Sequence, residues 1–237
     1  MPKPFFRFKQ FTVYHDRCAM KVGTDGVLLG AWTDVNDASS ILDIGTGTGI
    51  IALMLAQRST AAVIKGVDID GDAVEQAQEN VSHTPWADRI VIEQADACRL
   101  PETETVRYDV VVSNPPYFTE TVKCPDNRRH AARHTDTLTF DKLLHAASQL
   151  MHEKGRFCVV LPASAEGSFV TEAALHHLYP CRRTAVQTKA GVPPKRVLLE
   201  FRREITRCQS DTLTIEDTPG TYSAQYRALT GDFYLNV

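Results

Sequence analysis

Apolar residues along this chain fall into short runs separated by stretches that repeat at helical spacing. Ile41-Leu42-Asp43-Ile44 predicts a strand that ends in glycines, and Ile50 to Gln57 predicts the helix after it. Val63 to Val67 predicts a second strand, Gly71 to Val81 a helix, and Ile90-Val91-Ile92 a third strand. Tyr108-Asp109-Val110-Val111-Val112 is a β-branched run of the kind that forms a central buried strand. Phe140 to Met151 carries Leu143, Leu144, Ala147 and Leu150 at helical intervals. Phe157 to Leu161 predicts a fifth strand, Ser164 to His176 a helix, and Arg183–Gln187 and Arg196–Phe201 two closing strands. This alternation predicts an α/β fold, a doubly wound, mostly parallel, Rossmann-like sheet. Only Lys189-Ala190-Gly191-Val192-Pro193-Pro194 separates the closing strands, so they are expected to pair as a hairpin and leave a final antiparallel strand. Beyond Asp211 the pattern weakens to a short strand, Leu213 to Ile215, and a helix-like stretch, Ser223 to Leu229.

Residues 1–237 are expected to form a single domain. Two segments stand outside the alternation: an N-terminal extension, 1–33, and a polar, basic insert, 119–138, straight after the fourth strand. Structureless loops of that length inside compact domains are usually functional or disordered.

The charge pattern sharpens the picture. The formal net charge is −3, but residues 34–120 alone sum to −10. Residues 1–30 and 123–134 each sum to +3, and residues 180–207 to +6. Such segregation can build a phosphate-facing surface on an acidic body, or it can be spread over solvated faces. The six cysteines are scattered without a Cys-x-x-Cys pair, which argues against a zinc site or a disulfide scaffold. No apolar run approaches the roughly 18 residues of a membrane helix, and the N-terminus lacks the apolar stretch of a signal peptide. A cytoplasmic protein without metal or membrane partner is expected.

The first candidate site is Leu42-Asp43-Ile44-Gly45-Thr46-Gly47-Thr48-Gly49, which joins a strand to a helix. Glycines allow a sharp turn and a close ligand approach, and the helix start offers free N–H donors. The spacing is Gly-x-Gly-x-Gly, not the Gly-x-Gly-x-x-Gly of nicotinamide and flavin sites. Asp43 stands where it can reach a ligand. Asp68, at the end of the next strand, can accept from two ribose hydroxyls, and Asp96, after the third, can accept from an adenine amine. Asp70 is the weaker alternative to Asp68, because it starts the next helix.

The second candidate is Asn114-Pro115-Pro116-Tyr117, which closes the fourth strand at the edge where ligands bind in open α/β sheets. An amine conjugated to a ring is a poor nucleophile, because its lone pair is delocalised. The Asn114 side-chain oxygen and the Pro115 carbonyl can accept from its N–H groups and favour the pyramidal, nucleophilic geometry. The prolines fix those acceptors in advance. Tyr117, with Phe118 beside it, offers an aromatic face for a planar group, and a base held in RNA structure must first be turned out to reach it. Arg128, Arg129 and Arg133 of the insert are the candidate phosphate contacts.

These motifs resemble those of class I methyltransferases. The resemblance implies S-adenosylmethionine as cofactor, held by Asp43, Gly45, Gly47, Gly49, Asp68 and Asp96, with Asn114 serving both cofactor and catalysis. Asn114 to Tyr117 resembles the catalytic motif of amino-group methyltransferases acting on adenine, guanine or glutamine amide nitrogen. Further stretches narrow this: Phe8-Lys9-Gln10-Phe11-Thr12-Val13, Gly23-Thr24-Asp25-Gly26-Val27-Leu28-Leu29-Gly30-Ala31-Trp32, Ala131-Ala132-Arg133-His134 and Asp232-Phe233-Tyr234-Leu235. Together they resemble, over nearly the whole chain, the bacterial family that N6-methylates adenine-37 of a valine tRNA. That resemblance implies tRNA as partner and puts Thr24 and Asp25 near the methionine end of the cofactor. Thr24 is also a candidate helix N-cap, with Leu28 and Leu29 in the core. Glutamine-N5 methyltransferases share the catalytic motif but usually carry a separate helical N-terminal domain. A non-catalytic RNA-binding module is disfavoured by the intact Asp43, Asp68, Asp96 and Asn114.

Overall fold

The computed structural model describes residues 4–18, 21–60, 62–116 and 138–236. An N-terminal hairpin, β1 (Phe5–Arg7) and β2 (Thr12–Tyr14), is followed by α1 (Thr24–Trp32). The alternating core then runs β3 (Ser40–Ile44), α2 (Ile50–Arg58), β4 (Val63–Asp68), α3 (Gly71–Ser82), β5 (Ile90–Gln94), α4 (Leu100–Thr103) and β6 (Tyr108–Ser113). It continues with α5 (Phe140–Leu150), β7 (Met151–Pro162), α6 (Glu166–Leu175), β8 (Tyr179–Lys189) and β9 (Arg196–Arg202). The chain ends in β10 (Gln209–Thr218), β11 (Thr221–Tyr222) and α7 (Ala224–Thr230).

Among the described residues nine strands form one sheet, in the order β11-β10-β8-β9-β7-β6-β3-β4-β5. β7, β6, β3, β4 and β5 run parallel, the doubly wound arrangement expected from the alternation. Side-chain period decides the two faces. Ile41, Val110 and Val112 point into the core under α1, α2 and α3, while Leu42, Ile44 and Val111 point into the core under α5 and α6. Val110, Val111 and Val112 have no exposed surface, as a central strand requires.

Two features differ from the pattern-based expectation. β8 and β9 do pair as a hairpin, but β9 is not the last strand: it lies between β7 and β8 and is antiparallel to both. Its Val197 to Phe201 stretch is buried throughout, which suits an interior position and not an edge. The weak strand is the ten-residue β10, parallel to β8, with β11 antiparallel beyond it. Only Leu213 of β10 is buried, so its periodic signal is faint.

The N-terminal extension is woven into the core. Phe8, Phe11 and Val13 are buried. The Phe8 ring lies 4.7 Å from Phe11 and 5.8 Å from Tyr234, and the Lys9 N–H donates to the Phe233 carbonyl at 2.8 Å. The distinctive segments from the two ends of the sequence therefore pack on one another.

Candidate functional site

The chain turns sharply as soon as β3 ends. Gly45, Gly47 and Gly49 have φ of 71°, 54° and 78°, a left-handed region that costs an L side chain about 1–2 kcal/mol. A Cβ at Gly45 or Gly47 would meet nothing within 4 Å, so the space over the loop is open to a ligand. At Gly49 a Cβ would lie 3.3 Å from that of Ala77, so this glycine also lets α3 close on the loop. Gly49 is the N-cap of α2, whose first N–H groups face the turn.

Carboxylates brace this turn from below and from the side. Asp43 has no exposed surface, and its Oδ2 accepts from the Thr46 hydroxyl at 2.7 Å. Its Oδ1 is buried without a well-formed hydrogen bond among the described residues. Burial pushes the Asp43 carboxyl up to about 7, while the Thr46 hydroxyl and the Ala52 N–H pull it back. Asp68 is half-buried and accepts from the Gly47 N–H at 2.8 Å and the Asp70 N–H at 3.0 Å. Asp70 caps α3 by accepting from the Asp72 N–H at 3.0 Å, in keeping with its helix-starting position. Asp96, half-buried beyond β5, accepts from the Cys98 N–H at 2.9 Å.

Asn114 is brought beside this turn by strand register. Ser113, the last residue of β6, pairs with Ile44 of β3, and its hydroxyl donates to the Ile44 carbonyl at 2.9 Å. Asn114 therefore leaves the sheet next to the point where Gly45 leaves it. Asn114 is half-buried, Pro115 buried and Pro116 exposed. Tyr117, Phe118, Arg128, Arg129 and Arg133 lie outside the described residues, as does most of the 119–138 insert.

Thr24 and Asp25 open α1. The cap position belongs to Gly23, which has no side chain to offer, so Thr24 is the first helical residue and not the cap. Leu28 and Leu29 are buried as expected. Asp25 pairs with Arg196 at the start of β9. Burial raises the Asp25 carboxyl, against the pull of Arg196. Arg196 lies opposite Pro162 at the end of β7, so this pair stands at the same sheet edge as the glycine turn.

The basic segment at 180–207 is largely tied up inside the fold. Arg182 sits 3.6 Å from the centre of the Trp32 ring and donates to Glu200 at 3.1 Å. Arg183 makes a paired contact with Glu166, and Arg202 reaches Glu200 at 3.3 Å. Arg203 donates to the Ser148 carbonyl. Lys189 and Lys195 are exposed.

Two contributors escape the motif reading. Ile69, directly after Asp68, is a large apolar side chain left half-exposed. Asn80 is fully buried on α3 and bonds to the glycine turn. Its signal is a polar pair one turn apart, Gln76 and Asn80, on a buried helix face that otherwise reads Ala73, Val74, Ala77 and Val81. Among the described residues there is no cluster of His, Cys, Asp and Glu that could hold a metal, and no helix long and apolar enough to cross a membrane.

Comparison with known proteins fits this geometry. Residues 21–185 match the methyltransferase small domain. The chain is 56% identical over 237 residues to a tRNA1(Val) (adenine(37)-N6)-methyltransferase of Phocaeicola vulgatus, covering 100% of both chains. It is 50% identical over 238 residues to one of Bacteroides fragilis, again covering 100% of both. A predicted O-methyltransferase of Agrobacterium tumefaciens superposes with a TM-score of 0.72 over 90% of this chain and 100% of that one, at 17% identity, and shares the Rossmann-like methyltransferase fold. The chain belongs to the tRNA1(Val) (adenine(37)-N6)-methyltransferase family.

Proposed function

We propose that this chain transfers a methyl group from S-adenosylmethionine to the N6 amine of adenine-37 in a valine tRNA, acting in the cytoplasm as a single methyltransferase domain. Strand register sets Asn114-Pro115 beside the Gly45 turn, and that proximity carries this reading, in which the first receives the amine and the second the cofactor.

The residues present fit the cofactor. The open space over Gly45 and Gly47 admits a ligand against the backbone, and Asp68 and Asp96 each keep carboxylate acceptor capacity beyond one or two backbone N–H bonds. Ile69 offers an apolar face for a flat ring beside Asp68. The chemistry supplied by S-adenosylmethionine is an electrophilic methyl on a sulfonium. Asp68 would accept from the ribose hydroxyls and Asp96 from the adenine amine of that cofactor. Asp43 acts from beneath, through Thr46, by holding the turn. Thr24 and Asp25 would flank its methionine end.

Asn114 and the Pro115 carbonyl would accept from the substrate amine and favour its pyramidal, nucleophilic form. Tyr117 and Phe118 stack on the turned-out adenine, and Arg128, Arg129 and Arg133 hold phosphates near it. No strong base is required, because the proton leaves after transfer.

The test is transfer of labelled methyl groups from S-adenosylmethionine to unmodified valine tRNA and, separately, to protein extract. The expected product is N6-methyladenosine at position 37. Label in protein glutamine, or in neither pool, would overturn the reading.

A further inference from the structure

We propose that Asn80 is a positioning residue for cofactor binding, clamping the N-terminal strand to the glycine turn so that residues 15–18 roof the cofactor site beside Asp68. The inference rests on the methyltransferase reading above and adds to it a residue and a chain segment outside the known motifs.

Asn80 spends its whole amide on this clamp. Its Oδ1 accepts from the Tyr14 N–H at 2.8 Å. Its Nδ2 donates to the Tyr14 carbonyl at 2.9 Å and to the Thr48 carbonyl at 3.0 Å. Three elements therefore meet at one buried side chain: β2, α3 and the turn after β3. Fixing the Thr48 carbonyl fixes the Thr48–Gly49 peptide plane, whose N–H is held on its other side by the Thr46 carbonyl at 2.9 Å. Only a short primary amide supplies one acceptor and two donors here. An ionised Asp would face two carbonyl oxygens, and Ala would leave buried polar groups unpaired.

From Tyr14 the chain stays on α3 and advances toward Asp68. The Arg17 N–H donates to Gln76 Oε1 at 3.2 Å, and the Arg17 guanidinium pairs with Glu79 and, at 3.8 Å, with Glu75. Burial pushes the Cys18 thiol up to about 11, and the Asp68 and Asp70 carboxylates add to that push. The segment thus ends within electrostatic reach of the carboxylate that faces the ribose.

The experiment uses the full chain with S-adenosylhomocysteine as probe, read by calorimetry and by peptide-resolved labelling of Cys18 with N-ethylmaleimide. Saturating probe should slow Cys18 labelling in the wild type at least fivefold. Asn80→Ala should weaken probe binding at least tenfold and abolish that protection, and its loss of methyl transfer should fall on KM for the cofactor and not on kcat. Arg17→Ala, at the exposed end of the clamp, should weaken binding about twofold to fivefold and keeps the test alive if Asn80→Ala does not fold. Wild-type affinity in Asn80→Ala, or Cys18 labelling that saturating probe leaves unchanged in the wild type, would overturn the clamp while leaving the methyltransferase reading intact. Failure of the probe to bind the wild type would overturn both.

Discussion

The carboxylates at the ends of the parallel strands and the arginines of the closing strands treat charge in opposite ways. At the ends of β3, β4 and β5, Asp43, Asp68 and Asp96 form no ion pair with any described residue and are held by hydroxyl or backbone N–H groups. Asp68 and Asp96 keep capacity to receive more donors. In β8, β9 and the turn after them, Arg182, Arg183, Arg196, Arg202 and Arg203 each spend their guanidinium on a carboxylate or carbonyl of the fold. The more acidic stretch in the sequence is thus the one that keeps unspent hydrogen-bonding capacity, and the more basic one is largely tied up in the fold. Formal charge counts residues, whereas binding depends on which charges remain unspent after packing.

Four measurements break or sharpen that contrast. The largest effect is expected at Asn114, at the end of β6 beside the glycine turn. Asn114→Ala should cut the single-turnover rate about a hundredfold or more, as for a lost preorganised transition-state partner, while cofactor affinity stays nearly intact. A rate within a few-fold of wild type would remove it from the chemistry.

On the acidic side, Asp68→Ala should weaken S-adenosylmethionine binding by about 1.5–3 kcal/mol, the range for hydrogen bonds to a charged group. Part of that loss comes from freeing the Gly47 N–H. Unchanged calorimetric affinity would mean that the carboxylate only braces the turn.

Asp43 gives a pH test. Its folded carboxyl, raised to about 7 from 3.8, favours the protonated form more than the unfolded chain does. Stability from this group is therefore complete below pH 3.8 and is lost as pH rises to about 7, with a slope of at most about 1.4 kcal/mol per pH unit. Asp43→Asn should remove that slope in urea melts taken from pH 4 to 8. A variant that retains it would place the titrating group elsewhere.

The basic side gives the smallest change in tRNA binding. Arg182→Ala should destabilise the fold by about 1–3 kcal/mol, by loss of its ring and carboxylate contacts, and leave the salt dependence of tRNA binding as it was. Arg128→Ala with Arg129→Ala should instead flatten the log–log salt slope by about 0.7–0.9 per lost phosphate contact, with cofactor affinity unchanged. A flattened slope in Arg182→Ala, or none in the double variant, would reverse the assignment.

Local pattern was enough to read the parallel core. β-branched runs, helical spacing and strand-end glycines each report on a few neighbouring residues, so β3 to β7, the glycine turn and Asn114-Pro115 were legible in one dimension. The same locality explains what was missed. The three-residue strands β1 and β2 carry too few buried positions to show a period, and the polar β10 showed only its Leu213 to Ile215 centre. The place of β9 between β7 and β8 follows from how its buried face packs, not from its order in the chain.

The sequence by itself determined the alternating fold, the left-handed turn that only glycine accepts cheaply, and the residue types able to hold a methyl donor and an amine. Tertiary structure decided which of them are available. It buried Asp43 beneath the turn, consumed the guanidinium of Arg182 on Trp32 and Glu200, and turned Asn80 from a helix residue into the meeting point of three elements. The Arg182 and Asn80 outcomes depend on partners 18 to 150 residues away in the chain, and long-range partnership is set by packing, which no local pattern encodes.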